Sequence, residues 1–132
     1  MDVLIDTCVW SEAMRRVTPN VVISAEMQKL IGQGRAKMIG LVRQELLTGI
    51  KHQNQYEILR GKLRSFPDLD VTTDTHELAA EFANKCISRG FQGSHSDFLI
   101  CAVSKMENVC IYTLDNDFIG FSSVLGLNLY NP

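Results

Sequence analysis

Val3-Leu4-Ile5-Asp6-Thr7-Cys8-Val9-Trp10 is the stretch that decides the fold. Three aliphatic residues in a row, with no polar alternation, read as a strand buried on both faces, as in a parallel sheet covered by helices. Asp6 ends that strand. Open α/β sheets take their ligands at the carboxyl ends of such strands, so its carboxylate stands where chemistry is expected. Three later segments deliver an acid from a comparable place: Glu45 in Val42-Arg43-Gln44-Glu45-Leu46-Leu47-Thr48-Gly49, Asp97 in Ser96-Asp97-Phe98-Leu99-Ile100-Cys101-Ala102, and Asp115 with Asp117 in Thr113-Leu114-Asp115-Asn116-Asp117-Phe118.

Outward from the first strand, Cys8 to Arg16 reads as a short helix. A second helix is expected from Thr18-Pro19 to about Gly32, with Val22, Ile23, Met27, Leu30 and Ile31 inward. Lys37 to Gly40 is the second strand and leads into the Glu45 segment. On a helical wheel Glu45 falls among Leu41, Val42, Leu46 and Ile50, so its carboxylate needs a partner, and Gly49 shares its face. Two readings stand: close approach of another backbone beside a functional glutamate, or an arginine pair for Glu45 with Gly49 merely ending the helix.

His52 to Ser65 is a helix with Tyr56, Leu59 and Leu63 inward, and Leu69 to Thr72 a third strand. Asp74-Thr75-His76-Glu77 has the form of a capping box opening a helix that runs to Gly90. Asp97 begins an almost wholly apolar, hence buried, helix, and Ser94 three residues before it also fits a capping box. Val109 to Thr113 is a fourth buried strand. Asp117 is better placed than Asp115 to cap the short Phe118 to Phe121 turn, which leaves Asp115 for chemistry. Leu127 to Tyr130 is the last strand.

The chain has 132 residues, enough for one domain over 1–132 with a core, and 45% are hydrophobic. No apolar run reaches the roughly 18 residues that span a bilayer, and the first residues lack the basic stretch of a signal peptide; the expected location is the cytoplasm. The four cysteines form no CxxC pair and read as small buried hydrophobes. A net charge of −2 hides an asymmetry. Residues 1–64 hold ten Lys or Arg against six acids, whereas residues 65–132 hold three against nine.

Strand ends and helix starts in a parallel sheet with right-handed crossovers share one edge, which brings Asp6, Glu45, Asp97 and Asp115 together. Carboxylates so placed repel one another, and a hard divalent cation, Mg²⁺ or Mn²⁺, resolves the repulsion while accepting phosphate oxygens. With no histidine or lysine in these motifs, metal-bound water is the expected nucleophile, and the chemistry points to phosphodiester hydrolysis.

The ordered set Asp6-Thr7, Val42-x-x-Glu45-Leu46-x-x-Gly49, Asp97-x-x-Ile100-x-Ala102 and Thr113-x-Asp115-x-Asp117-Phe118 resembles the PIN domain, in particular the VapC-type toxins of toxin-antitoxin pairs. The resemblance covers nearly the whole chain. It implies a three-layer α/β/α sandwich on a mostly parallel sheet, endoribonuclease activity dependent on Mg²⁺ or Mn²⁺, a homodimer, and inhibition by a cognate antitoxin protein. By position, Asp6, Glu45, Asp97 and Asp115 would hold the metal, Asp117 would support them, and Thr7 and Thr113 would orient carboxylates or water. Cys8 and Cys101 depart from the residues frequent at those places, and neither removes an acid.

The basic excess of the first half would then serve the RNA backbone through Arg15, Arg16, Arg43, Lys51 and His52, or else be ordinary surface charge. Rival readings are a catalytically inactive PIN-like module that binds RNA or protein, a metal-dependent DNase, and a phosphotransferase with a nucleophilic strand-end aspartate. The last wants a second acid where Cys8 stands.

Overall fold

Strand β1 (Val3–Ile5) lies between β2 (Ala36–Lys37) and β3 (Cys110–Tyr112), all parallel, in a computed structural model that describes residues 1–132. Val3 pairs with Ala36 on one side and Cys110 on the other, and Ile5 pairs with Tyr112. Every side chain of β1 is fully buried, as its unbroken apolar run requires. Seven helices supply the cover: α1 (Thr7–Trp10), α2 (Val21–Gly32), α3 (Gly40–Leu47), α4 (Gln53–Leu63), α5 (Thr73–Ser88), α6 (His95–Glu107) and α7 (Asp117–Leu125). The architecture is the α/β/α sandwich expected from the sequence. No helix is long and apolar enough to cross a membrane.

The expected third and last strands shrink to single parallel bridges, Met38 with Asp68 and Ile111 with Leu129. Leu69 N–H donates to Met38 O at 2.8 Å, and Tyr130 N–H to Ile111 O at 2.7 Å. Pro67 lacks a donor and Asp68 and Asp70 are charged, which suits a blunt edge better than a continuing ladder.

Helix α1 passes directly into a π turn, Ser11–Arg15. Helix α2 starts later than Thr18-Pro19, because Asn20 Oδ1 accepts the Ile23 N–H at 3.1 Å and sets the cap there. Its buried stripe is Met27 and Leu30, while Val22 is 77% exposed, so the inward face is narrower than expected. The capping box of α5 is Thr72 with Thr75, not Asp74 with Glu77. Thr75 is fully buried, and its hydroxyl accepts the Thr72 N–H at 3.0 Å. The turn expected at Phe118 to Phe121 is a nine-residue helix whose Phe118, Phe121 and Leu125 face the core.

Gly49 lies beyond α3 with φ of +84°, so it belongs to the helix exit and not to its interior. Arg43, on α3, is engaged with the end of α4 and the segment that follows it. Its guanidinium donates to Asp68 Oδ1 from Nε at 3.2 Å and Nη2 at 2.9 Å, to Leu63 O at 2.8 Å, and to Phe66 O.

Candidate active site

Asp6 leaves β1 and caps α1, its Oδ1 accepting the Thr7 N–H at 2.8 Å. Its Oδ2 accepts the Thr113 hydroxyl at 2.7 Å, and the Cys8 thiol lies 3.5 Å from the same oxygen. Thr113 follows β3, the strand paired with β1, so the two parallel strand ends are tied across the sheet edge. The Thr113 oxygen in turn accepts the Asp115 N–H at 3.0 Å, and Asp115 Oδ1 accepts the Asp117 N–H at 2.9 Å. Asp115 is thus the residue that orders the start of α7, the role expected of Asp117. Both side chains are exposed.

Glu45 projects from α3, and its Oε1 accepts the Thr7 hydroxyl at 2.7 Å. No arginine pairs with it. Thr7 therefore serves Asp6 through its backbone and Glu45 through its side chain. Asp97 sits in the first turn of α6, where its Oδ2 accepts the Ser94 N–H at 2.9 Å while the Ser94 hydroxyl accepts the Asp97 N–H at 3.2 Å. The capping role and a role in chemistry are compatible here, because the cap uses one of the two carboxylate oxygens.

None of Asp6, Glu45, Asp97, Asp115 or Asp117 has a salt-bridge partner. Burial raises the pKa of Asp6, opposed by hydrogen bonds from Thr113 and Thr7, and the Glu45 charge raises it further. Burial likewise raises Asp97, opposed by Ser94, with the charges of Asp6 and Asp115 adding to the rise. The acids feel one another, and nothing cationic from the chain answers them. In the arrangement seen, no three His, Cys, Asp or Glu side chains stand at metal-ligand spacing. The donor chemistry still fits a hard divalent cation, being carboxylate oxygens in mutual repulsion, one of them buried.

Two residues at the site escape a sequence reading. Cys8 is more than a small core hydrophobe, since its Sγ accepts the Leu114 N–H at 3.4 Å beside Asp6. A Cβ at Gly93 would lie 2.6 Å from the Phe121 ring and 3.1 Å from Asp97 Oδ2, so only glycine lets that loop pass. An unclaimed glycine just before a capping serine was the available signal. His95, two residues before Asp97, faces elsewhere, in a cavity of about 390 Å³ with His76 and Leu41.

Of the basic candidates, Arg15, Arg16, Lys51 and His52 line one open groove, and Arg43 does not. Arg43 and Glu45 are two residues apart on α3, hence about 200° apart around it, and face opposite ways.

Thr113→Val keeps the shape and deletes the hydroxyl that joins Asp6 to the Asp115 backbone. The expected loss is about 1–2 kcal/mol of stability, because a buried carboxylate oxygen and an N–H lose their partner, and about tenfold in any activity of the site. Denaturant melts and a rate assay on the same preparation check both.

Several solved structures share the fold. FitAcB from Neisseria gonorrhoeae aligns with a TM-score of 0.79 at 21% identity, covering 98% of this chain and 97% of that one. VapBC2 from Rickettsia felis, bound to a DNA fragment from its promoter, aligns with a TM-score of 0.74 at 18% identity, covering 100% and 99%. A toxin-antitoxin complex from Klebsiella pneumoniae gives 0.69 at 17%, covering 90% and 92%. No curated protein matches the chain in sequence. The PIN domain family model matches residues 3–122, which include Asp6, Glu45, Asp97 and Asp115, and the chain belongs to the PIN domain family.

Proposed function

We propose that this chain is a metal-dependent endoribonuclease, the toxin of a toxin-antitoxin pair, acting in the cytoplasm as a homodimer restrained by a cognate antitoxin protein. The observation that supports the catalytic reading is that Asp6 feels the charge of Glu45, and Asp97 the charges of Asp6 and Asp115, in a PIN domain without a single cationic side chain paired to them. The toxin reading draws on the toxin-antitoxin complex among structures of the same fold.

Asp6, Glu45, Asp97 and Asp115 would hold Mg²⁺ or Mn²⁺. Bound there, the ion supplies an activated water and charge neutralisation at the leaving oxygen. The chain's own part is orientation. Thr113 fixes Asp6 Oδ2, and Thr7 fixes Glu45 Oε1. Asp117, at the first turn of α7, adds negative charge beside Asp115. Burial of Asp6 lowers the local dielectric, so a cation there is held more strongly than on an open surface.

A second reading, the inactive module that binds RNA or protein, draws on the lack of any ready-made set of three ligands. One assay separates the two: cleavage of a mixed single-stranded RNA with Mg²⁺ or Mn²⁺, by wild type, Asp6→Asn and Asp97→Asn, with EDTA as control. Cutting that disappears in both variants and with EDTA supports the nuclease. Variants that cut like the wild type refute the site.

A further inference from the structure

Between the π turn and α4 runs an open groove of about 430 Å³, lined by Arg15, Arg16, Lys51, His52, Gln55 and Lys62. No acidic residue lines it. Arg16 is paired with Glu12 at 2.8 Å, whereas Arg15, Lys51 and Lys62 have no salt-bridge partner. Arg15 reaches into the groove over Gly49: a Cβ at that position would stand 3.5 Å from Nη2. The π turn that carries Arg15 follows α1 without a break, and such wide turns concentrate at functional sites.

Both walls lead back to the acids. One wall continues α1, whose first residue, Thr7, holds Glu45, so Arg15 is on the order of 10 Å from the site along the helix axis. The other wall starts at Gly49, just past the end of the helix that carries Glu45. The positive excess of residues 1–64 is therefore partly gathered into one track that begins where the acids end. No Phe, Tyr or Trp lines it, so the large stacking platforms for bases are missing; Met14, Val17, Ile50, Ile58 and Leu59 form its apolar floor instead.

We infer that this groove holds the phosphodiester backbone of single-stranded RNA to one side of the scissile bond, through Arg15, Lys51 and Lys62 with Arg16 and His52 beside them. The inference rests on the ribonuclease reading and adds where the strand runs. Contacts of this kind position the strand without choosing its sequence. Specificity for a cleavage sequence must then come from the acid pocket or from RNA shape.

The test is binding of a labelled single-stranded 12-mer RNA, in EDTA so that no cutting enters, followed by anisotropy between 50 and 200 mM NaCl. With three to four phosphates neutralised, log K against log salt should fall with a slope of about −2 to −3. Arg15→Gln/Lys51→Gln/Lys62→Gln should flatten that slope by about 2 and weaken binding at least about tenfold at 50 mM. Lys85→Gln/Arg89→Gln/Lys105→Gln removes the same charge from other exposed surfaces and should leave both unchanged. All six positions are exposed, so folding is not at stake.

Equal effects of the two triple variants would overturn the assignment, as would wild type that fails to bind RNA at 50 mM salt. So would a labelled poly-glutamate 12-mer that binds wild type as tightly as RNA and loses affinity in the groove variant, for then the groove suits an acidic protein segment. Cleavage by the same variants separates this inference from the reading it rests on. RNA bound in the groove but never cut leaves the groove standing and refutes the nuclease, while cutting by the groove variant at the wild-type kcat/KM refutes the groove.

Discussion

Asp97→Asn is expected to fold as well as the wild type and to cut RNA at least about a hundredfold more slowly. The two halves of that result come from two uses of one carboxyl group. Oδ2 accepts the Ser94 N–H and completes the cap of α6. An amide oxygen does the same, so the helix start survives. What asparagine cannot supply is the negative charge that the proposed site needs, and relieving repulsion from Asp6 and Asp115 offsets the favourable contact with the helix dipole that is lost. Asp97→Ala removes both uses, and should lose activity equally while costing about 1 kcal/mol of stability as well.

The same substitution has a pH signature in EDTA. Burial raises the Asp97 pKa in the folded chain, so the folded state binds that proton more tightly than the unfolded state does. The penalty is absent below the unfolded carboxylate range, near pH 4, and grows as pH rises through the raised value. Wild-type stability should therefore fall relative to Asp97→Asn over that window. Unfolding midpoints measured across it check the sign; parallel curves would mean that Asp97 carries no such strain.

Arg43→Ala is expected to cost about 2–4 kcal/mol, roughly 10 °C in Tm, and to leave the RNA affinity of the folded protein unchanged. Its guanidinium joins α3 to Asp68 and to the carbonyls of Leu63 and Phe66. Removing it strands acceptors that are only partly reached by water. Arg43→Lys should recover at most about half of the loss, since one ammonium cannot span three acceptors in the plane that a guanidinium fits. A melting point at the wild-type value together with weaker RNA binding would return Arg43 to the RNA surface.

Arg43 also shows where sequence is legible and where it is not. The sequence offered it as an RNA contact because it lies two residues from Glu45; what the sequence lacks is Asp68, 25 residues on, whose approach depends on the turn at Pro67. The first strand was legible because three consecutive aliphatic residues admit one environment. Asp6 was legible as its end. The outer strands were not, because four residues of mixed polarity make a bridge or a strand according to what lies alongside. The cap of α5 was misassigned for a related reason. Asp74-x-x-Glu77 has the form of a box, but Thr75 is drawn into the core, and its hydroxyl needs the Thr72 backbone as its partner. Cys8 was read as a hydrophobe because nothing in its neighbours along the chain announces Leu114 and Thr113, which arrive from the far end.

That distance along the chain has a consequence for when the protein becomes competent. Thr113 meets Asp6 across 107 positions, and β3 completes the pairing of β1 only after most of the chain exists. During synthesis the N-terminal strand and Glu45 emerge early, while Asp97, Thr113 and Asp115 come late. Contacts of such long range form late in folding as well, because the loop they close must be ordered first. A nascent or truncated chain therefore carries half of an acidic site and no means of joining it to the other half. Only the release of the last segments lets the two halves of the acidic set come to one sheet edge.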